Sequence, residues 1–139
     1  MSRVYSTGFS FGGIWTSYLF MNRGDTLAAV APLSGGIDAS LGLSFTDPVG
    51  DSAALIMWGG EGDTFSAMGQ SLSFHEGSIA FGDELKAAGH PVIGCNHGGG
   101  HTLPFDYRYI WDFLTAHTLG EPSPYDGSAA GLSSDCYVW

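Results

Sequence analysis

Residues Ala53 to Trp58 read Ala-Ala-Leu-Ile-Met-Trp, six apolar side chains in succession, and Gly59-Gly60 ends the run. A strand has two faces, and this one carries a polar side chain on neither, so both must be covered. That is the position of a strand inside a parallel sheet with helices on either side. The neighbouring segments agree. Residues 3–7 (RVYST) form a short β-branched and aromatic strand, and Thr26 to Leu33 a second, apolar one. Pro91 to Cys95 is a fourth. Ile14, Tyr18 and Met21 recur at helical spacing and stop at Asn22-Arg23-Gly24. Phe74 to Ala88 reads as a helix with Ile79, Phe81 and Leu85 on its apolar side and Gly89 as its stop. Asp106 to Leu119 is amphipathic, with Tyr109, Ile110, Phe113, Leu114 and His117 along one side. This alternation predicts an α/β fold, a mostly parallel sheet of about four strands with flanking helices. Residues 37–52 and 64–73 carry no clear pattern. Residues 1–119 are expected to form the domain, with the Pro-, Ser- and Gly-rich residues 120–139 packed on it as a tail.

The chain has 139 residues, 44% of them hydrophobic and 13% charged, which is material for one packed core. Net charge is −10, and only Arg3, Arg23, Lys86 and Arg108 are basic. No basic cluster exists to displace phosphate counterions, which argues against nucleic acid, and equally against an anionic membrane surface. A neutral small-molecule substrate fits the charge better. No apolar run reaches the roughly 20 residues of a membrane span. Met1-Ser2-Arg3 leads directly into the first expected strand, so no signal peptide is expected in these residues. Cys95 and Cys136 are compatible with one disulfide or with two thiols.

In parallel sheets, ligands and catalysts sit on the loops beyond the carboxyl ends of the strands. Three such loops carry reactive side chains. Gly8-Phe9-Ser10-Phe11-Gly12 lies between a strand and a helix, the context of a nucleophile elbow. There the serine occupies a strained turn, Gly8 and Gly12 keep its neighbours small, and Gly13 lets the helix pack close to the strand. The bland alternative is a glycine-rich turn with Ser10 as a helix cap. Asp63 follows the Ala53–Trp58 strand and can orient an imidazole; Glu61 and Asp51 are its rivals, and a turn-forming Asp is the plain reading. His101 lies in the loop after the fourth strand and can serve as general base, with His97 as its rival. The two histidines have no further Cys, His or carboxylate cluster at a metal spacing, so no metal or other cofactor is expected. His75, His90 and His117 read as structural. Serine, acid and histidine follow one another in the chain order of α/β-hydrolases.

Residues 3–13 (RVYSTGFSFGG) resemble the elbow of the polyhydroxybutyrate-depolymerase-like esterases, a group that includes secreted feruloyl and acetylxylan esterases. Residues 31–36 (APLSGG) resemble the strand end after the elbow helix, and residues 56–63 (IMWGGEGD) the acid loop. Residues 98–104 (GGGHTLP) resemble the histidine segment, with Leu103 where the family has Trp, and residues 110–114 (IWDFL) the final helix. The resemblance spans about residues 3–117. It implies a serine carboxylic-ester hydrolase acting on small or aryl esters. Ser10 is then the nucleophile, His101 the base and Asp63 its orienting acid. The Phe11 N–H is one oxyanion donor. Independently of the resemblance, Phe9, Phe11, Trp15, Trp58 and Phe65 are candidates to line an apolar acyl or aryl pocket, with a place in the core as the plainer reading for most of them. Secreted relatives favour a Cys95–Cys136 disulfide and an extracellular location.

One departure is large. In the family, several strands precede the elbow and one of their loops supplies the second oxyanion donor, whereas nine residues precede Ser10 here. The resemblance therefore implies a truncated α/β-hydrolase fold matching the family's C-terminal half. Losing one oxyanion donor costs about 10²–10³ in rate. The first strand is expected at a sheet edge with unpaired backbone groups, which points either to self-association, a partner chain completing the sheet, or to a chain that is a fragment of a longer protein. The competing reading is a catalytically silent remnant that acts as an assembly or small-ligand-binding module.

Overall fold

The structure is a computed structural model and describes residues 2–67 and 69–139. Its strands are β1 (Tyr5–Phe9), β2 (Ala29–Leu33), β3 (Ala53–Trp58), β4 (Thr64–Ala67), β5 (Gln70–Ser73), β6 (Val92–Asn96) and β7 (Cys136–Val138). Its helices are α1 (Phe11–Arg23), α2 (Phe74–Ala88) and α3 (Arg108–Ala116). The main sheet runs β1-β2-β3-β6-β7; the first four strands are parallel and β7 is antiparallel to β6. β4 and β5 form a separate antiparallel hairpin.

The unbroken apolarity of β3 follows from its place. Ala53, Leu55 and Met57 face α3 in one cluster with Tyr109, Ile110, Phe113 and Leu114. Ala54, Ile56 and Trp58 face the opposite layer, against Phe20 and Met21 of α1 and Phe81 and Leu85 of α2. All six are buried. A sheet between two helical layers, each burying alternate residues of the same strands, is the α/β architecture the sequence pattern requires.

The sheet has five strands rather than about four, because the tail adds one. Cys95 and Cys136 are register partners and form a disulfide across 41 residues. The strand direction continues to Trp139, whose N–H donates to the Val92 carbonyl and whose indole donates to Asp83 Oδ1 at 2.9 Å. Gly82 on α2 leaves the space that the Trp139 ring fills. Within residues 64–73, patternless in sequence, Thr64–Ala67 and Gln70–Ser73 pair as the β4–β5 hairpin, and 37–52 are irregular apart from one short turn at Ala39–Leu41. α3 ends at Ala116, short of Leu119. His117 is already extended, and its buried ring bridges the Phe113 carbonyl and Ser123 Oγ.

Strand β1 lies at the sheet edge. Its residues are all intermediate or exposed, whereas every residue of β2 and β3 is buried. Among the described residues, no strand pairs with its outer side.

Candidate active site

Ser10 joins β1 directly to α1. Its φ of 60° and ψ of −122° place it in a region that L residues rarely occupy. The neighbours that permit this turn are Gly8 and Gly13. A Cβ on Gly8 would lie 2.5 Å from the Gly12 carbonyl oxygen, and one on Gly13 would collide with the Leu33 carbonyl. Gly12 faces open space, so the steric demand assigned to it from the pattern falls on Gly13 instead. Ser10 is the N-terminal flank of α1 but makes no side-chain capping bond. Its Oγ instead meets His101 Nε2 at 3.0 Å. The first N–H groups of α1, that of Phe11 among them, have no intrahelical acceptor.

Asp63 follows β3 through a turn closed by its own N–H to the Gly60 carbonyl. Its side chain is fully buried. Oδ1 meets His101 Nδ1 at 2.7 Å. Oδ2 accepts from Ser34 Oγ at 2.7 Å and from the Gly59 N–H at 2.8 Å. A buried carboxylate needs such partners, and here three donors meet its two oxygens. The rivals Glu61 and Asp51 are exposed.

His101 is brought in by the loop after β6, which is tied to the acid loop by the Gly100 N–H to the Gly59 carbonyl at 2.8 Å. Its ring stacks on Phe9 (centroids 4.8 Å) and Phe74 (4.4 Å, planes 13° apart), with Phe65 tilted at 6.1 Å. With Nδ1–H directed at the carboxylate, Nε2 presents its lone pair to the serine. His97 turns to its own loop, where its Nδ1 accepts from the Gly99 N–H.

The aromatic side chains expected around the substrate separate into three groups. Phe65 and Phe11 line an open groove of about 420 Å³ together with Ser40, Leu41, Ala67, Gln70 and Leu72. Phe9 packs between His101 and the α3 core, and so holds the imidazole ring. Trp58 and Trp15 stand elsewhere. Trp58 has the parity of Ile56 on β3, so it sits in the α1–α2 layer, 2% exposed, against Tyr137 and Trp139. Trp15 is exposed on the outside of α1, stacked on Tyr18. A larger hollow, about 740 Å³, lies between α3 and the tail and includes none of the three triad residues.

Sequence reasoning missed Ser34 and Phe74. Ser34 ends β2 with φ 44°, and Ser10 is the other non-glycine residue of positive φ among those described. A serine before two glycines gives no sign that its hydroxyl supports a carboxylate 29 positions away. Phe74 is the first residue of α2, and its contact with His101 depends on the hairpin before it.

No family model matches the sequence, and no curated protein does. Solved structures do match in shape. A serine-to-alanine variant of pOPH in complex with pNPB superimposes with a TM-score of 0.77 at 18% identity, over 99% of this chain and 54% of that one. Native pOPH gives 0.74 at 20% identity, over 99% and 54%. Native sOPH gives 0.73 at 17% identity, over 99% and 53%. These likenesses show the fold, an α/β architecture with a mostly parallel sheet flanked by helices. The chain spans about half the length of the structures it matches.

Proposed function

We propose that this chain carries the catalytic triad of a serine carboxylic-ester hydrolase. The observation that supports the reading best is the unbroken hydrogen-bond chain from Ser10 through His101 to Asp63, built from three loops at the same end of the sheet. Ser10 Oγ attacks the ester carbonyl carbon, and its proton passes to His101 Nε2. The buried Asp63 carboxylate fixes the ring through Nδ1–H and stabilises the imidazolium that forms. The Phe11 N–H, at the positive end of α1, donates to the developing oxyanion. His101 then protonates the leaving alkoxide. Water, deprotonated by the same nitrogen, attacks the acyl-enzyme carbonyl, and Ser10 recovers its proton. The charge of −10 and the groove lining of Phe11, Leu41, Phe65 and Leu72 favour uncharged esters.

Hydrolysis of p-nitrophenyl acetate and butyrate, measured beside Ser10→Ala and His101→Ala, tests this. Both variants are expected at background. Equal rates in all three proteins would end the triad reading.

The open edge of β1 favours a second element of the proposal, a homo-oligomer in which a partner chain completes the sheet. Light scattering at micromolar concentration is expected to find more than one chain per particle, and a monodisperse monomer contradicts it. The same edge favours the alternative of a silent assembly module, in which the triad remains assembled but turns nothing over. The hydrolysis comparison separates the two.

A further inference from the structure

The groove beside the triad has a definite chemistry. Leu72 of β5 and Phe65 of β4 are cross-strand partners in the hairpin, and both line it. Leu41, from the short turn at Ala39–Leu41, and the Phe11 ring supply further apolar lining. Phe11, Leu41 and Phe65 are exposed by 59%, 42% and 44%, an unusual outlay of large apolar side chains around one hollow. Ser40 and Gln70 are polar, and no lining residue among those described is charged. The groove includes none of Ser10, Asp63 and His101, but two of its walls reach them. Phe65 is 6.1 Å from His101, and Leu72 packs in one cluster with Phe74, whose ring stacks on His101. Phe11 provides both the oxyanion N–H of the proposed mechanism and part of the lining.

We propose that this groove is an acyl subsite that selects esters of unbranched, uncharged chains of about six carbons over acetyl esters, with Phe65 and Leu41 as specificity-determining residues. The inference rests on the ester-hydrolase reading. A carbonyl oxygen held at the Phe11 N–H sets its acyl substituent beside the Phe11 ring, and a chain longer than acetyl extends from there along Phe65, Leu72 and Leu41. A fully buried methylene adds about fourfold to affinity. Four extra methylenes, about half covered in an open groove, give on the order of tenfold. A chain ending in a carboxylate gains no such preference, because the groove offers it no cation.

The test compares kcat/KM for p-nitrophenyl hexanoate and acetate in the wild type, Phe65→Ala and Leu41→Asp. Both replaced side chains are exposed, so neither change opens the core. The wild type is expected to favour hexanoate on the order of tenfold, and both variants to fall to within about twofold of parity. A wild-type ratio near one, or a ratio unmoved in both variants, overturns the groove while leaving the hydrolase reading intact. Calorimetric titration of Ser10→Ala with the same two esters reads the groove without turnover. Tighter hexanoate binding that Phe65→Ala and Leu41→Asp abolish on that background supports the subsite even if the wild type is inactive. Equal or undetectable binding of both esters overturns it.

Discussion

Replacing Ser34 with alanine removes one bond from a carboxylate that water does not reach. Ser34 Oγ donates to Asp63 Oδ2 at 2.7 Å, and Ser34 and Asp63 are both fully buried. A hydrogen bond to a charged group contributes about 1.5–3 kcal/mol. No solvent can replace the lost donor, so the upper part of that range applies. Ser34→Gly loses the same bond but relieves a second term. At φ 44° a Cβ costs about 1–2 kcal/mol, which glycine does not incur, against about 0.5–1 kcal/mol of extra backbone entropy in the unfolded chain. Ser34→Gly is thus expected between wild type and Ser34→Ala in stability. Urea unfolding at neutral pH with the disulfide intact, followed by tryptophan fluorescence, measures all three. The turnover of p-nitrophenyl butyrate is expected to fall about tenfold or more in both variants, since 1.4 kcal/mol of lost orientation is a factor of ten. If Ser34→Ala unfolds within about 0.5 kcal/mol of wild type, the reasoning is refuted, because this is the scatter of an ordinary surface change.

Reducing the Cys95–Cys136 disulfide reopens a loop of 41 residues' separation and is expected to cost about 4 kcal/mol by loop entropy, read as a lower urea midpoint with dithiothreitol. Gly13→Ala drives a methyl group into the Leu33 carbonyl and is expected to cost at least about 2 kcal/mol, whereas Gly12→Ala, facing open space, is expected to be neutral or slightly stabilising in the same assay. Burial holds the pKa of His117 below its usual 6.5, so the folded state favours its neutral form. That contribution is complete above the unfolded value and is lost as pH falls from about 6.5 through the lowered folded one. The urea midpoint of wild type is expected to drop more steeply over that interval than that of His117→Gln, and parallel profiles would contradict it.

The layers of the fold were legible because their signal is local. Ala53–Trp58 states by its own composition that both faces are covered, and α2 and α3 declare their periodicity. Ser10, Asp63 and His101, which hydrogen bonds join in the structure, stand out in the sequence because each follows a strand and their chain order is informative. What escaped depends on distant partners. β7 is a strand through its pairing with β6, which its short, isolated Cys-Tyr-Val sequence does not announce, although the Cys95–Cys136 disulfide that ties it there is expected from the resemblance. The β4–β5 hairpin has a positive-φ Gly69 but no long alternating pattern. Trp58, an aromatic candidate for the pocket, belongs to the core. Which parity of β3 faces which layer is set by the whole sheet, and Trp139, 81 positions away, completes its surroundings. Ser34 could not be read at all, since a left-handed serine has no signature beyond the glycines that follow it.

The central claim is that Ser10 is a nucleophile activated by His101. Incubation with an alkyl fluorophosphonate, followed by intact-mass and peptide analysis, tests it without requiring turnover. The wild type is expected to gain one phosphonyl group per chain, on Ser10, with loss of fluoride. Ser10→Ala is expected to gain none, and His101→Ala none on the same time scale. A wild type that stays unlabelled, or labelling that survives in His101→Ala at the wild-type rate, contradicts the account.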